Sequence, residues 1–138
     1  MTETIRAATL GETAEILSLW RSADAVLSRT DDPDGIQRLL EKDPGALLVA
    51  IVDGKIAGTL IAAFDGWRGA MYRLAVLPDR RRRGIATELI AAGEHRLRDL
   101  GARRITAIIM TQHPDAVAAW EENGYEEDVR VGRWFKNL

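Results

Sequence analysis

At 138 residues, 46% hydrophobic and 29% charged, the chain has the composition of one globular domain spanning 1–138. Without cysteine it has neither disulfides nor thiolate metal sites, and two separated histidines, His95 and His113, do not suggest a zinc centre. A net charge of −2 argues against a nucleic-acid surface, and no run reaches the ~18 apolar residues of a membrane span, so a cytoplasmic protein with no metal is expected.

Thr4–Leu10 alternates weakly and is expected as a strand, and Glu12–Ala25 carries Ile16, Leu17, Leu19 and Trp20 at helical spacing. A polar loop over Ser28–Gly35 leads into a short helix over Asp34–Lys42, with Ile36, Leu39 and Leu40 inward and Pro44-Gly45 as its stop. Ala46–Val52 and Ile56–Phe64 flank Asp53-Gly54, the strongest short-range hairpin signal in the chain. After a turn over Asp65–Gly69, a strand over Met71–Leu77 precedes a helix from Gly84 to Leu100. Its apolar face is Ile85, Leu89, Ile90, Gly93, Leu97 and Leu100, and Gly101 follows as the C′ residue. Arg104–Met110 reads as a buried strand, Pro114–Asn123 as a helix with proline in its first turn, and Tyr125–Phe135 as the final strands. The order βααβββαβαβ implies a mixed sheet with helices on both faces, an α/β (α+β) architecture.

The most informative stretch is Leu74–Ile90. A strand ends at Pro78, and the basic run Arg80–Arg83 opens onto Gly84, Ile85 and Ala86 where a helix begins. The first N–H groups of a helix lack intrahelical partners and carry partial positive charge, so such an end binds anions, phosphate above all. Gly84 allows close approach of the backbone because it has no Cβ. Thr87 follows without the lysine that a mononucleotide P-loop requires, and the three glycines of a dinucleotide fingerprint are missing.

Strand, proline, Arg81-x-x-Gly84-x-Ala86 and amphipathic helix together resemble the acetyl-coenzyme A signature of the GNAT N-acetyltransferases. Within that superfamily the chain is most similar to the small YpeA-type acetyltransferases, with a tryptophan in the first helix, an Asp-Pro loop and the turn Asp65–Gly69. The resemblance covers practically the whole chain. It implies one mostly antiparallel mixed sheet with a splayed parallel pair, and acetyl-CoA as acetyl donor.

By that resemblance the backbone of Leu74, Ala75 and Val76 lines the pantetheine arm, with Leu74 as a catalytic N–H donor to the acetyl carbonyl. Arg81, Arg82, Arg83, Gly84, Ile85, Ala86 and Thr87 surround the diphosphate, and one of Arg80–Arg83 reaches the 3′-phosphate. Trp120 stands where the family carries a tyrosine whose hydroxyl meets the departing sulfur; an indole N–H donates a hydrogen bond but is no usable acid. Trp120 therefore reads either as a catalytic-site residue or as an aromatic packed on the sheet. His113-Pro114 replaces a common asparagine, and His113 reads as a loop residue before it reads as a base.

For the acceptor amine the candidates are Trp20, Asp31, Asp32, Asp65 and Trp67, with Glu121, Glu122, Glu126 and Glu127 as further acids. The strand preceding the signature offers Tyr72 and Arg73 where family members often place a carboxylate. The expected activity is acetyl transfer from acetyl-CoA to a primary amine, on a small molecule or a protein, by direct attack in a ternary complex. Its alternative is an acyl-CoA-binding sensor without turnover. A monomer and a homodimer are equally open, and neither nucleic acid nor membrane is expected as a partner.

Overall fold

In a computed structural model that describes residues 3–23 and 25–138, five strands form one sheet in chain order: β1 (Glu3–Ala7), β2 (Leu47–Val52), β3 (Lys55–Phe64), β4 (Gly69–Val76) and β5 (Ile105–Ala107). Neighbours run antiparallel except β4 and β5, which are parallel. That exception follows from the connection. The helix α3 (Ile85–Leu100) carries the chain back before β5 begins, as a parallel pair requires. Asp53 and Gly54 both take positive φ, 52° and 77°, the backbone of the tight hairpin turn that their sequence predicts.

Alternation along β2 divides the core. Leu47 and Val49 face α1 (Thr13–Ser22) and α2 (Pro33–Lys42), packing with Ile16, Leu17, Trp20, Ile36 and Leu40. Leu48, Ala50 and Val52 face the other way, onto Ile85, Leu89, Ile90 and Leu97 of α3 and Trp120 of α4 (Pro114–Glu122). Helices thus cover both faces, and each fully buried leucine or isoleucine contributes roughly 1.5–3 kcal/mol. Gly93 sets how near α3 lies: a Cβ there would meet Met71 Cε at 2.8 Å and Leu60 Cδ2 at 2.9 Å.

Several boundaries differ from those expected. A 3₁₀ turn at Leu10–Glu12 precedes α1, and the Thr9 N–H donates to Glu12 Oε1 at 2.9 Å, so the α-helix starts one residue later than Glu12 and ends at Ser22. The expected continuation to Ala25 crosses Asp24, outside the described residues. Asp32 caps α2 by accepting from Gly35 N at 2.7 Å. Leu100 is exposed at the end of α3. The strand expected over Arg104–Met110 shrinks to Ile105–Ala107, and the final strands expected over Tyr125–Phe135 do not form. Tyr125 instead turns its ring onto Trp120 and its hydroxyl onto Glu94, and Asp128 pairs with its neighbour Arg130. Strand-forming residues alone do not make a strand without a neighbour to pair with.

Candidate functional site

The sheet opens between β4 and β5. Their parallel pairing joins Gly69 to Ile105, Ala70 to Thr106 and Met71 to Ala107, and the Ile108 N–H donates to the Met71 carbonyl at 3.0 Å. Beyond that point Arg73, Leu74, Ala75 and Val76 form one wall of a cleft of about 570 Å³, and Ile108, Ile109 and Met110 contribute to the opposite wall.

A bulge shapes the first wall. Thr59 pairs with Ala75 and Ile61 with Tyr72, so the single residue Leu60 faces two, Arg73 and Leu74. Arg73 takes a left-handed φ of 55°, which costs a non-glycine residue roughly 1–2 kcal/mol. Two buried side chains hold it there. Trp20 Nε1 donates to Thr59 Oγ1 at 2.8 Å, and Thr59 Oγ1 donates to the Arg73 carbonyl at 2.9 Å. On the outer side the Arg73 guanidinium grips Asp31 through Nε (2.9 Å to Oδ1) and Nη2, and donates to the Val26 carbonyl at 3.1 Å. Burial pushes the Asp31 carboxyl up, but the hydrogen bonds from Arg73 and Ser28 outweigh it and hold the group below its ordinary range. The loop between α1 and α2 is thereby tied to the bulge.

The floor is the turn before α3. Arg81 Nε donates to the Val76 carbonyl at 3.1 Å and its Nη2 to the Ala23 carbonyl at 3.3 Å, bracing the turn against the ends of β4 and α1. Arg82 takes a φ of 64° and lies 3.9 Å from Asp115, while Arg80 lies 3.5 Å from Asp53. Gly84 caps α3 at φ 84°, with nothing within 4 Å of an added Cβ. The first bond of the helix runs from Glu88 N to the Gly84 carbonyl at 3.0 Å. The N–H groups of Ile85, Ala86 and Thr87 therefore have no intrahelical acceptor, and all three residues line the cleft.

The remaining wall is the start and inner face of α4, including His113, Asp115, Ala119, Trp120 and Glu122. Trp120 is almost wholly buried and meets Tyr125 edge-on, with centroids 4.8 Å apart at 77°. The Tyr125 hydroxyl donates to Glu94 Oε2 at 2.7 Å; burial, reinforced by that carboxylate, pushes its pKa far above the ordinary phenol. Neither Tyr72 nor Tyr125 lines the cleft.

Leu74, Ala75, Val76, Arg81, Arg82, Gly84, Ile85, Ala86, Thr87 and Trp120 are thus brought together around one cleft, and Arg83 lies outside its lining. The residues expected on the acceptor side stand elsewhere. Trp20 is in the core, Asp31 is paired with Arg73, and Asp32 caps α2. Asp65 accepts from the Trp67 and Arg68 N–H groups at 2.7 Å each, and Trp67 lies exposed under the Arg68 guanidinium, 4.1 Å from its carbon. Sequence reasoning passed over Thr59 and the left-handed Arg73. The available signal was a hydroxyl inside an otherwise apolar strand, since a fully buried polar group is normally hydrogen-bonded. Among the described residues no cluster of three or more His, Asp or Glu is arranged to hold a metal, and no helix is long and apolar enough to cross a membrane.

Comparison with known proteins gives a consistent answer. The pattern of the acetyltransferase (GNAT) family matches residues 13–125. Acetyltransferase SG1711 of Sodalis glossinidius is 36% identical over 112 residues, 81% of this chain and 79% of its own length. Acetyltransferase plu1384 of Photorhabdus laumondii is 36% identical over 113 residues, 82% and 79% of the two chains. Among solved structures, aminoglycoside N-acetyltransferase AAC(6')-Iy in complex with CoA superposes with a TM-score of 0.77 at 22% identity, over 99% of this chain and 96% of that one. The PaiA N-acetyltransferase of Thermoplasma acidophilum in complex with coenzyme A gives 0.80 at 13% identity, over 93% and 92%. At these identities the superpositions speak for the fold.

Proposed function

The chain belongs to the acetyltransferase (GNAT) family, and from that membership we propose that its cleft takes acetyl-CoA along β4 and that the acetyl group passes to a primary amine, on a small molecule or a protein, by direct attack in a ternary complex. The observation carrying this reading is the parting of β4 from β5 directly beside the open N-terminus of α3. An extended arm fits the first feature by pairing with strand backbone, and a diphosphate fits the second.

The residues present suit the ligand. Three N–H groups without helix partners, a glycine at positive φ and Arg82 in the cleft wall match a diphosphate. Arg81 contributes by holding the turn, because its guanidinium is committed to the Val76 and Ala23 carbonyls. One of Arg80–Arg83 is assigned to the outer phosphate. When bound, acetyl-CoA supplies an activated thioester carbonyl. The backbone N–H of Leu74, at the bulge, is the donor assigned to that oxygen, a role worth about 3 kcal/mol of barrier. As the C–N bond forms and the C–S bond breaks, the proton of the amine passes to solvent or to His113, Asp115 or Glu122, which line the cleft. Because the Trp120 indole is no usable acid, the departing thiolate takes its proton from solvent. Asp31, Asp32, Asp65 and Trp67 keep a substrate role only through the loops they shape, and Trp20, buried on α1, only through its bond to Thr59 behind the bulge.

A second reading, acyl-CoA binding without turnover, is favoured by one observation: neither described tyrosine lines the cleft. Calorimetry with acetyl-CoA and with coenzyme A, followed by coenzyme A release over a panel of primary amines, separates the two. Binding with release supports transfer; binding without release on any amine supports the sensor; no binding of either ligand overturns both.

A further inference from the structure

Arg73 is the charged residue of β4, it lines the cleft at the bulge, and only part of its guanidinium is taken. Nε and Nη2 hold the two oxygens of Asp31, and Nη2 also reaches the Val26 carbonyl. Nη1, which carries two more N–H donors, has no hydrogen-bond partner among the described residues. The group is also fixed in place. Its side chain is 21% exposed and that of Asp31 7%, and the buried Trp20 ring lies 5.6 Å from the guanidinium carbon. A guanidinium clamped along one edge presents the other as a ready fork.

The charges along the cleft point the same way. Among the described residues its lining carboxylates are Asp115 and Glu122, both on α4, and Asp115 stands 3.9 Å from Arg82 at the turn before α3. Asp31 lies outside the lining and is committed to Arg73. An acceptor whose sole charge is an ammonium therefore meets a cation beside the bulge and no free carboxylate among the described residues. An acceptor that also carries a carboxylate meets donors in want of an acceptor. The guanidinium further disfavours protonation of an amine held near it, which raises the fraction in the neutral, nucleophilic form.

We propose that the acceptor is a small primary amine with a carboxylate on the carbon next to its nitrogen, an α-amino acid in chemical class, and that the Nη1 edge of Arg73 binds that carboxylate. The inference rests on the acetyl transfer proposed above and names its substrate class. Arg73 directly precedes Leu74, whose N–H is assigned to the thioester oxygen. A carboxylate held at Arg73 thus leaves the adjoining nitrogen beside the thioester carbonyl. The C–N bond forms as the C–S bond breaks, the amine gives its proton to solvent or to a base of the cleft, and the thiolate takes one from solvent. Asp31 aims the fork and does not touch the acceptor.

The test measures kcat/KM for coenzyme A release with leucine, phenylalanine and serine, each beside its carboxamide and its decarboxylated amine. In the wild type each amino acid is expected to exceed both partners by about tenfold or more, the worth of a charged hydrogen-bonded pair. The same ratio is then read in Arg73→Lys, which keeps the charge and loses the fork. Because the ratio compares acceptors within one preparation, any loss of folded protein cancels. It is expected to fall toward one, through a higher KM for the amino acid. A purely structural Arg73 slows every acceptor alike and leaves the ratio unchanged, which overturns the proposal. So does a wild type that uses the plain amines, or the carboxamides that mimic a peptide N-terminus, as well as the amino acids. Calorimetry with acetyl-CoA separates the deeper failure: no binding, or binding without release on any amine, overturns the transfer reading itself and this inference with it.

Discussion

Thr59 and Arg73 are joined across the β3–β4 ladder by one hydrogen bond, from the Thr59 hydroxyl to the Arg73 carbonyl at 2.9 Å, at the residue where β4 turns left-handed. Thr59→Val keeps the shape but strands the Arg73 carbonyl and the Trp20 indole N–H in the interior. The expected cost is about 1–3 kcal/mol in denaturant unfolding. Because the bulge shapes the cleft wall, acetyl-CoA affinity by calorimetry falls with it. Thr59→Ser, which retains the hydroxyl, restores most of both.

Gly84→Asp is expected to weaken acetyl-CoA binding at least tenfold while leaving far-ultraviolet circular dichroism unchanged. The carboxylate opposes a diphosphate at the helix end, and the backbone φ of 84° disfavours any side chain. Gly84→Ala isolates the second effect: an added Cβ meets nothing within 4 Å, so only the strain of about 1 kcal/mol applies. Equal affinities for wild type and the aspartate variant would refute the assignment of the turn.

Acetyl-CoA is expected to raise the melting temperature more than ATP with magnesium does. Ile85, Ala86 and Thr87 follow Gly84 where a mononucleotide loop carries the lysine and hydroxyl that grip a terminal phosphate and its metal. Stronger stabilisation by the nucleotide contradicts the reading.

Trp120→Phe is expected to lower turnover by less than the ~10²–10⁴-fold typical of losing a general acid. Its stability falls by roughly 1–3 kcal/mol, because the ring is buried edge-on against Tyr125. Tyr125→Phe removes a bond to Glu94 and leaves turnover intact. A collapse with Trp120→Phe at unchanged stability would give the indole a chemical role.

The Asp31 carboxyl titrates below its unfolded value of ~3.9, so its pairing with Arg73 stabilises the fold fully above that pH. The contribution is lost as pH falls through the lower, folded value. Asp31→Asn is expected to flatten this acid limb of the stability profile, measured by urea unfolding between pH 2 and pH 5.

Local geometry was the legible part of this chain. Asp53-Gly54 names its own turn, and Gly84 and Gly101 mark both ends of α3 with φ of 84° and 104°. The end of the cleft proposed for the diphosphate is equally local, since a helix N-terminus and its preceding turn are contiguous in sequence. The bond from Thr59 to Arg73 spans fourteen positions and depends on the ladder register, which no short window encodes. Trp20, Asp31, Asp32 and Asp65 have the chemistry of an acceptor site, but each is held by a bond to its own fold. Val129–Phe135 shows the remaining limit: composition reports a readiness to pair, but a strand forms only where a neighbouring ladder meets it.

Arg81 is fastened to two carbonyls, one at the end of β4 and one just after α1, so the turn beneath it is braced from both sides without any ligand. A pocket built this way selects by fit rather than by closing. Little conformational entropy is left for that turn to lose on association, so its ordering subtracts little from the affinity.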